Sequence, residues 1–271
     1  MGKHTEYTEL YKQYKDADDS DDEGHARIFY YSGRAYIDAH EADKAKKRFE
    51  YLSEKFEETS WAGEGIYYLG IIAFKKGNFT EALNIFKGYL QDYPEGKSKS
   101  DVQFKMATCY YQQKNYLKAA ELYTEVLQRP EVGEKTKYRA AYNAAIANEK
   151  SNQWVKAAHL YDILLKDYAE LARSTSLYVS AGFCWYNAQE YEKAKAFFER
   201  ALEDTESERK EEAHYWYART LDLTGKVDEA VKEYYKVNYL YAASGMWALT
   251  ALFDIGQIYE RSGDIEKARK M

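Results

Sequence analysis

Proline is almost missing from this chain, with two residues in 271. Proline removes a backbone donor and clashes inside a helix, so its scarcity leaves the whole length open to helix. Cysteine is equally rare, and two are too few for a disulfide framework. Cys109 and Cys184 occupy one repeated slot, held elsewhere by Ala35, Ile72, Ala147, Thr220 and Ile258, so both read as packing residues. No apolar run approaches the roughly 18 residues that a membrane span needs, and Met1 to Leu10 has no apolar signal core. A basic excess is missing too. Thirty-nine Lys and Arg face 45 Asp and Glu, for a net charge of −6, which argues against nucleic acid as the main ligand.

The residue patterns of common active sites are also lacking. His4, His25, His40, His159 and His214 make no metal-ligand spacing with one another or with the cysteines. Gly63, Gly65 and Gly70 open a helix with no strand before it, and Gly96-Lys97-Ser98 has Gln91 where a phosphate loop needs glycine. A calcium loop counted from Asp18 puts Glu23 where glycine is required and Phe29 where glutamate is required. No Gly-x-Ser-x-Gly occurs. No catalytic residue, metal or cofactor is expected.

What is present is a repeat. Ala45, Ala82, Ala119, Ala157, Ala194, Ala230 and Ala268 recur 36 to 38 residues apart. Twelve residues before each stands another small residue: Gly33, Gly70, Ala107, Ala145, Gly182, Ala218 and Gly256. Four residues after each of the first six stands an aromatic: Phe49, Phe86, Tyr123, Tyr161, Phe198 and Tyr234. A period of this length marks a solenoid built from one stacked supersecondary unit. Each unit reads as two helices. In the second, Ile66, Leu69, Gly70, Ala73 and Phe74 fall at helical spacing, then Phe79, Ala82, Leu83, Phe86 and Leu90, with Lys76-Gly77-Asn78 breaking between them. Small residues let two helices cross closely, and the large Phe86 is expected to fill space toward the next unit.

The order Leu69-Gly70, Ala82, Phe86 and Pro94 resembles the tetratricopeptide repeat, and seven phased copies carry the resemblance over about 26–271. It implies an all-α, right-handed α-solenoid of about seven helix-turn-helix repeats: 26–62, 63–99, 100–137, 138–174, 175–210, 211–248 and a shortened 249–271. The period is longer than the family's 34 residues, and the extra residues fall toward the repeat-to-repeat connection. This is similar to tetratricopeptide proteins of bacterial cell envelopes. Residues 1–25 are expected to hold an amphipathic stretch, with Tyr7, Leu10, Tyr11 and Tyr14 on one face, followed by an acidic linker from Asp16 to Glu23. The stop at Met271, just after Ala268, reads as a cut.

In the family, first helices line a concave face that binds partner segments. Carried onto this sequence, those slots hold Arg27, Tyr30, Arg34, Tyr67, Ile71, Phe74, Phe104, Thr108, Tyr111, Tyr142, Ile146, Glu149, Val179, Phe183, Tyr186, Tyr215, Arg219 and Asp222. Tyr30, Arg34, Tyr67, Phe74, Phe104, Tyr111, Tyr142, Phe183, Tyr186, Tyr215 and Arg219 form the candidate partner-binding groove. Tyrosine offers a rigid face, a polar tip and little rotamer entropy to lose. The Lys and Asn clamp that some chaperone-binding relatives use for a terminal carboxylate is not matched. Its positions hold Tyr30, Arg34, Tyr68, Asp101 and Lys105. The expectation is a non-catalytic scaffold binding a peptide or helical segment of a partner protein. A building block that joins a larger assembly through its repeat ends, and a helical appendage of an enzyme, are the alternatives.

Overall fold

The computed structural model describes residues 22–171, 176–203, 209–241 and 245–271. Every regular element among them is a helix, and the chain divides into two compact units between Val132 and Gly133. The stretch with Tyr7, Leu10, Tyr11 and Tyr14, and the acidic run as far as Asp21, lie outside the described residues. Asp22 and Glu23 belong to the first turn of a helix, where carboxylates complement the exposed N–H groups.

The first unit contains three hairpins. They are α1 (Asp22–Asp38) with α2 (Ala42–Lys55), α3 (Ser60–Lys75) with α4 (Phe79–Asp92), and α5 (Lys99–Gln112) with α6 (Tyr116–Leu127). The second contains four: α7 (Glu134–Lys150) with α8 (Trp154–Asp167), α9 (Ser176–Asn187) with α10 (Tyr191–Glu203), α11 (Lys210–Leu223) with α12 (Val227–Leu240), and α13 (Met246–Arg261) with the short α14 (Ile265–Lys270). Within each unit successive helices pack on one another. First helices of neighbouring repeats also touch, α1 with α3 in one unit, and α9 with α11 and α11 with α13 in the other. This is the all-α architecture that the repeat predicts.

Two repeated slots make the hairpins. At the crossing, Ala45, Ala82, Ala119, Ala157, Ala194 and Ala230 are fully buried. At the inner turn, seven residues after each small slot, the backbone is left-handed in every repeat: His40, Gly77, Lys114, Asn152, Gln189, Gly225 and Gly263, with φ from 58° to 81°. The turn residue directs the next N–H back into the first helix, as Asn78 N–H donates to Ala73 O at 3.0 Å.

The aromatic of the second helix does more than fill space toward the next repeat. It lies inside its own hairpin, against the small residue of the first helix. A Cβ on Gly33 would come within 2.6 Å of the Phe49 ring, and one on Gly182 within 2.6 Å of Phe198. Each glycine of the first six slots faces Phe, and each alanine (Ala107, Ala145, Ala218) faces Tyr. The other face of Phe49 does reach the next repeat, stacking on Tyr68 at 5.1 Å.

The lengthened connections are tied down by side chains. Ser98 N–H donates to the buried Tyr89 hydroxyl at 3.0 Å, and Ser98 Oγ donates to Glu64 at 2.8 Å. In the second unit Arg209 donates to Ser176 O at 3.2 Å and Ser180 Oγ at 2.8 Å, while pairing with Glu212. Both cysteines are buried and unpaired, and burial pushes the Cys109 thiol up to about 12, which keeps it protonated and inert.

Candidate functional site

The candidate residues project from first helices, and the small residue of each repeat sets their direction. With that residue turned to the second helix, the positions three before it, one after and four after lie on the flank beside the crossing, about 40–100° round the helix from it.

In the first unit, Arg34 Nη1 donates to the Tyr30 hydroxyl at 3.1 Å. Its guanidinium carbon also lies 5.0 Å from the Tyr68 ring centroid. Arg34 is thus fixed by two phenols, a cation–π arrangement worth about 0.5–2 kcal/mol. Tyr67 is half-buried, its ring 5.1 Å from Tyr68, and burial raises its phenol well above the ordinary value. Phe74 is half-buried between Phe79, at 5.6 Å, and the Lys105 ammonium, at 5.1 Å. Tyr111 is half-buried with its ring edge-on to Tyr116.

In the second unit, Tyr142 is 38% exposed and stacks on Tyr138. Phe183 and Tyr186 are half-buried and share Trp216 as a neighbour, at 4.9 and 5.1 Å. Arg219 Nη1 donates to both oxygens of the buried Asp254, at 3.1 and 3.2 Å, and its Nε donates to the Tyr186 hydroxyl at 3.5 Å. Burial works against the charge of Arg219, but the hydrogen bond to Tyr186 and the field of Asp254 outweigh it and hold the pKa above its ordinary value. Glu149 accepts from the Tyr161 hydroxyl at 2.9 Å, and Asp222 pairs with Arg261 at 2.8 Å.

Three of the eleven groove candidates belong to the core instead. Tyr30, Phe104 and Tyr215 are only 5–8% exposed. For Tyr30 and Tyr215 the physical reason is that their slot faces the next first helix, while Phe104 is covered from its own hairpin. Tyr30 is covered by Trp61 and Tyr68 at 5.0 and 5.8 Å. Tyr215 is covered by Trp247 at 4.9 Å and donates its hydroxyl to Asp254 at 2.8 Å. Phe104 meets the Tyr123 ring edge-on at 5.1 Å. Ile71 and Val179, of the wider series, are buried as well.

Sequence reasoning weighed Tyr68 only as a clamp position and passed over Trp216 and Asp254, and all three share the slot two residues before the small one. The signal was a run of aromatic and polar types (Tyr31, Tyr68, Lys105, Asn143, Ser180, Trp216, Asp254) at a position outside the small-residue and aromatic slots of the repeat. It also passed over Phe253, which holds the slot of Tyr30 and Tyr215 in the last repeat and is 64% exposed. No group of three metal-ligating side chains occurs among the described residues, and none of their helices is long and apolar enough to cross a membrane.

Comparison with known proteins bears on this geometry. Models of the tetratricopeptide repeat match residues 73–130, residues 30–97 and 185–245, and residues 249–271. No curated protein matches the chain in sequence. Among solved structures, the C-terminal part of a tetratricopeptide-containing protein from Cytophaga hutchinsonii is similar over 92% of this chain and 94% of its own, with a TM-score of 0.62 and 16% identity. MamA from Desulfovibrio magneticus RS-1 covers 68% of this chain and 97% of its own, with a TM-score of 0.51 and 17% identity. YrrB, described as a tetratricopeptide protein with an unusual peptide-binding site, covers 69% and 90%, with a TM-score of 0.55 and 16% identity. These likenesses are of fold. With the repeat models matching over more than half its length, the chain belongs to the tetratricopeptide-repeat family.

Proposed function

We propose that this protein is a non-catalytic interaction scaffold that takes a peptide or helical segment of a protein partner on the inner face of its first helices. The observation that carries the reading is a set of half-open rings on that face: Tyr67, Phe74 and Tyr111 in the first unit, and Tyr142, Phe183 and Tyr186 in the second. Their edges are packed, so their orientation is set before a partner arrives, and little entropy is lost on binding. Arg34 and Arg219, each oriented by tyrosine hydroxyls, add fixed donors beside the rings. A flat aromatic surface with a few placed polar groups suits a protein segment. YrrB, with its peptide-binding site, is a precedent on the same fold.

The test is partner capture from native extract with two double variants, Phe74→Ala/Tyr111→Ala and Tyr142→Ala/Tyr186→Ala. These change half-open rings and leave Tyr30, Phe104 and Tyr215 in the core. Circular dichroism checks that the helices persist. Partners lost from either variant assign the face of that unit. Full retention of every partner by both variants rejects the reading.

A further inference from the structure

Arg34 and Arg219 hold one slot of the repeat, each directly after the small residue of its first helix, Gly33 and Ala218. Both are half-buried, and both donate to a tyrosine hydroxyl, Tyr30 at 3.1 Å and Tyr186 at 3.5 Å. What each meets in the next first helix differs. Arg219 meets Asp254, two residues before Gly256, and donates to both its oxygens at 3.1 and 3.2 Å. The matching position, two residues before Gly70, is Tyr68, whose ring centroid lies 5.0 Å from the Arg34 guanidinium. One arginine is neutralised within the chain and the other is not.

Among the described residues no carboxylate pairs with Arg34. Asp38, one turn further along α1, stays exposed and acts on it less than either phenol does. Arg27, two turns earlier on the same side of α1, is exposed and also makes no ion pair among the described residues. Its neighbour Glu23 is engaged with Ser60, accepting from the backbone N–H at 2.9 Å and the hydroxyl at 3.2 Å. A guanidinium carries five N–H donors in a fixed fork. Tyr30 takes one of those of Arg34, and the rest are left for a ligand. A neutral phenol offsets the lost hydration of a half-buried cation less well than a carboxylate does.

We infer that Arg34 binds a carboxylate of the partner segment, which stands to Arg34 as Asp254 stands to Arg219. This rests on the inner-face reading above and adds the chemistry of the segment: acidic where it crosses the first unit, with no such demand from Arg219 in the second.

The probe is a library of random-sequence synthetic peptides, selected on the whole chain and read by mass spectrometry. Peptides retained by the wild type are expected to be enriched in aspartate or glutamate. In fluorescence anisotropy, Arg34→Gln is expected to weaken an acidic peptide about tenfold or more. Glutamine for glutamate in the peptide is expected to weaken it equally, with no further loss when both are changed. Tyr68→Asp places a carboxylate where the second unit has Asp254, and is expected to abolish the preference for acid. Circular dichroism shows whether each variant keeps its helices. Arg34→Gln, which keeps a donor for Tyr30, decides the matter if Tyr68→Asp unfolds. Amidating the peptide's C-terminus separates a terminal carboxylate from a side chain. Retained peptides without enrichment in acid, or acidic peptides bound as tightly by Arg34→Gln as by the wild type, overturn the inference and leave the inner-face reading standing. No retained peptide at all rejects both.

Discussion

Gly182 and Phe198 are locked together by size: a methyl group on Gly182 would come within 2.6 Å of the Phe198 ring. The same fit joins Gly33 to Phe49. Where the small residue is alanine the ring becomes tyrosine, and its hydroxyl finds a first-helix partner in two of the three cases. Tyr123 donates to Thr108 at 2.8 Å and Tyr161 to Glu149 at 2.9 Å. Tyr234 keeps a buried hydroxyl without a partner. Hairpin geometry is therefore set by a two-residue code sixteen positions apart.

Gly182→Ala is accordingly expected to destabilise the second unit by about 1–3 kcal/mol through overpacking. Phe198→Ala is expected to cost about 3–5 kcal/mol through the opposite fault, a cavity. Urea denaturation followed by circular dichroism measures both. A neutral Gly182→Ala would mean that the ring has room to move.

Gln189 holds a left-handed backbone at φ 63° without the freedom of glycine. Left-handed geometry costs an L-residue roughly 1–2 kcal/mol. Gln189→Gly is thus expected to stabilise the protein by about 1 kcal/mol, seen as a higher melting temperature. Gly225→Gln, the reverse change at the equivalent turn, is expected to lower it.

Asp254 accepts from Tyr215 and Arg219 together, inside the second unit. Asp254→Ala leaves a buried phenol and a half-buried guanidinium short of a partner, at about 1–3 kcal/mol. Tyr215→Phe removes one donor and costs about 1 kcal/mol. The two changes share one bond, so a double-mutant cycle is expected to show coupling of about 0.5–1.5 kcal/mol. Simple additivity would show that the bond contributes nothing.

Glu233 gives the fold an acid dependence. Burial opposes its charge, but His214 Nδ1 at 2.8 Å and the Lys236 ammonium at 2.6 Å outweigh burial and hold its carboxyl below the ordinary value of 4.5. A carboxyl lowered in the folded state stabilises it above the unfolded pKa, and that stability is lost as pH falls through the folded value. Melting temperatures from pH 7 down to pH 3 are expected to fall less steeply below about pH 4.5 in Glu233→Gln than in the wild type. Parallel curves would contradict this.

The hairpins were legible because their determinants are local and repeated. Ala45 to Ala268, the aromatic four residues on, and the inner turns all recur in phase, and tertiary packing reads them the same way in every repeat. His40, Lys114 and Gln189 were missed as left-handed turn residues because no glycine marks them, and only the phase of the repeat reveals the position. The candidate surface was harder to read. In the slot three before the small residue, whether the side chain stays open depends on the neighbour. Trp61 and Tyr68 bury Tyr30, and Trp247 and Asp254 bury Tyr215, while Tyr142 in the same slot stays open. Spacing within one helix carries no record of that competition.

Site-specific photocrosslinking tests the interaction surface most directly. Benzoylphenylalanine would replace Tyr111 or Tyr142 on the first helices, and in a separate sample Tyr239, which lies on the second helix α12 and is 78% exposed. The expected result after irradiation in native extract is a shared protein partner attached at position 111 or 142, and none at 239. Attachment at 239 with nothing at 111 or 142 would contradict the account and move the binding surface to the second helices.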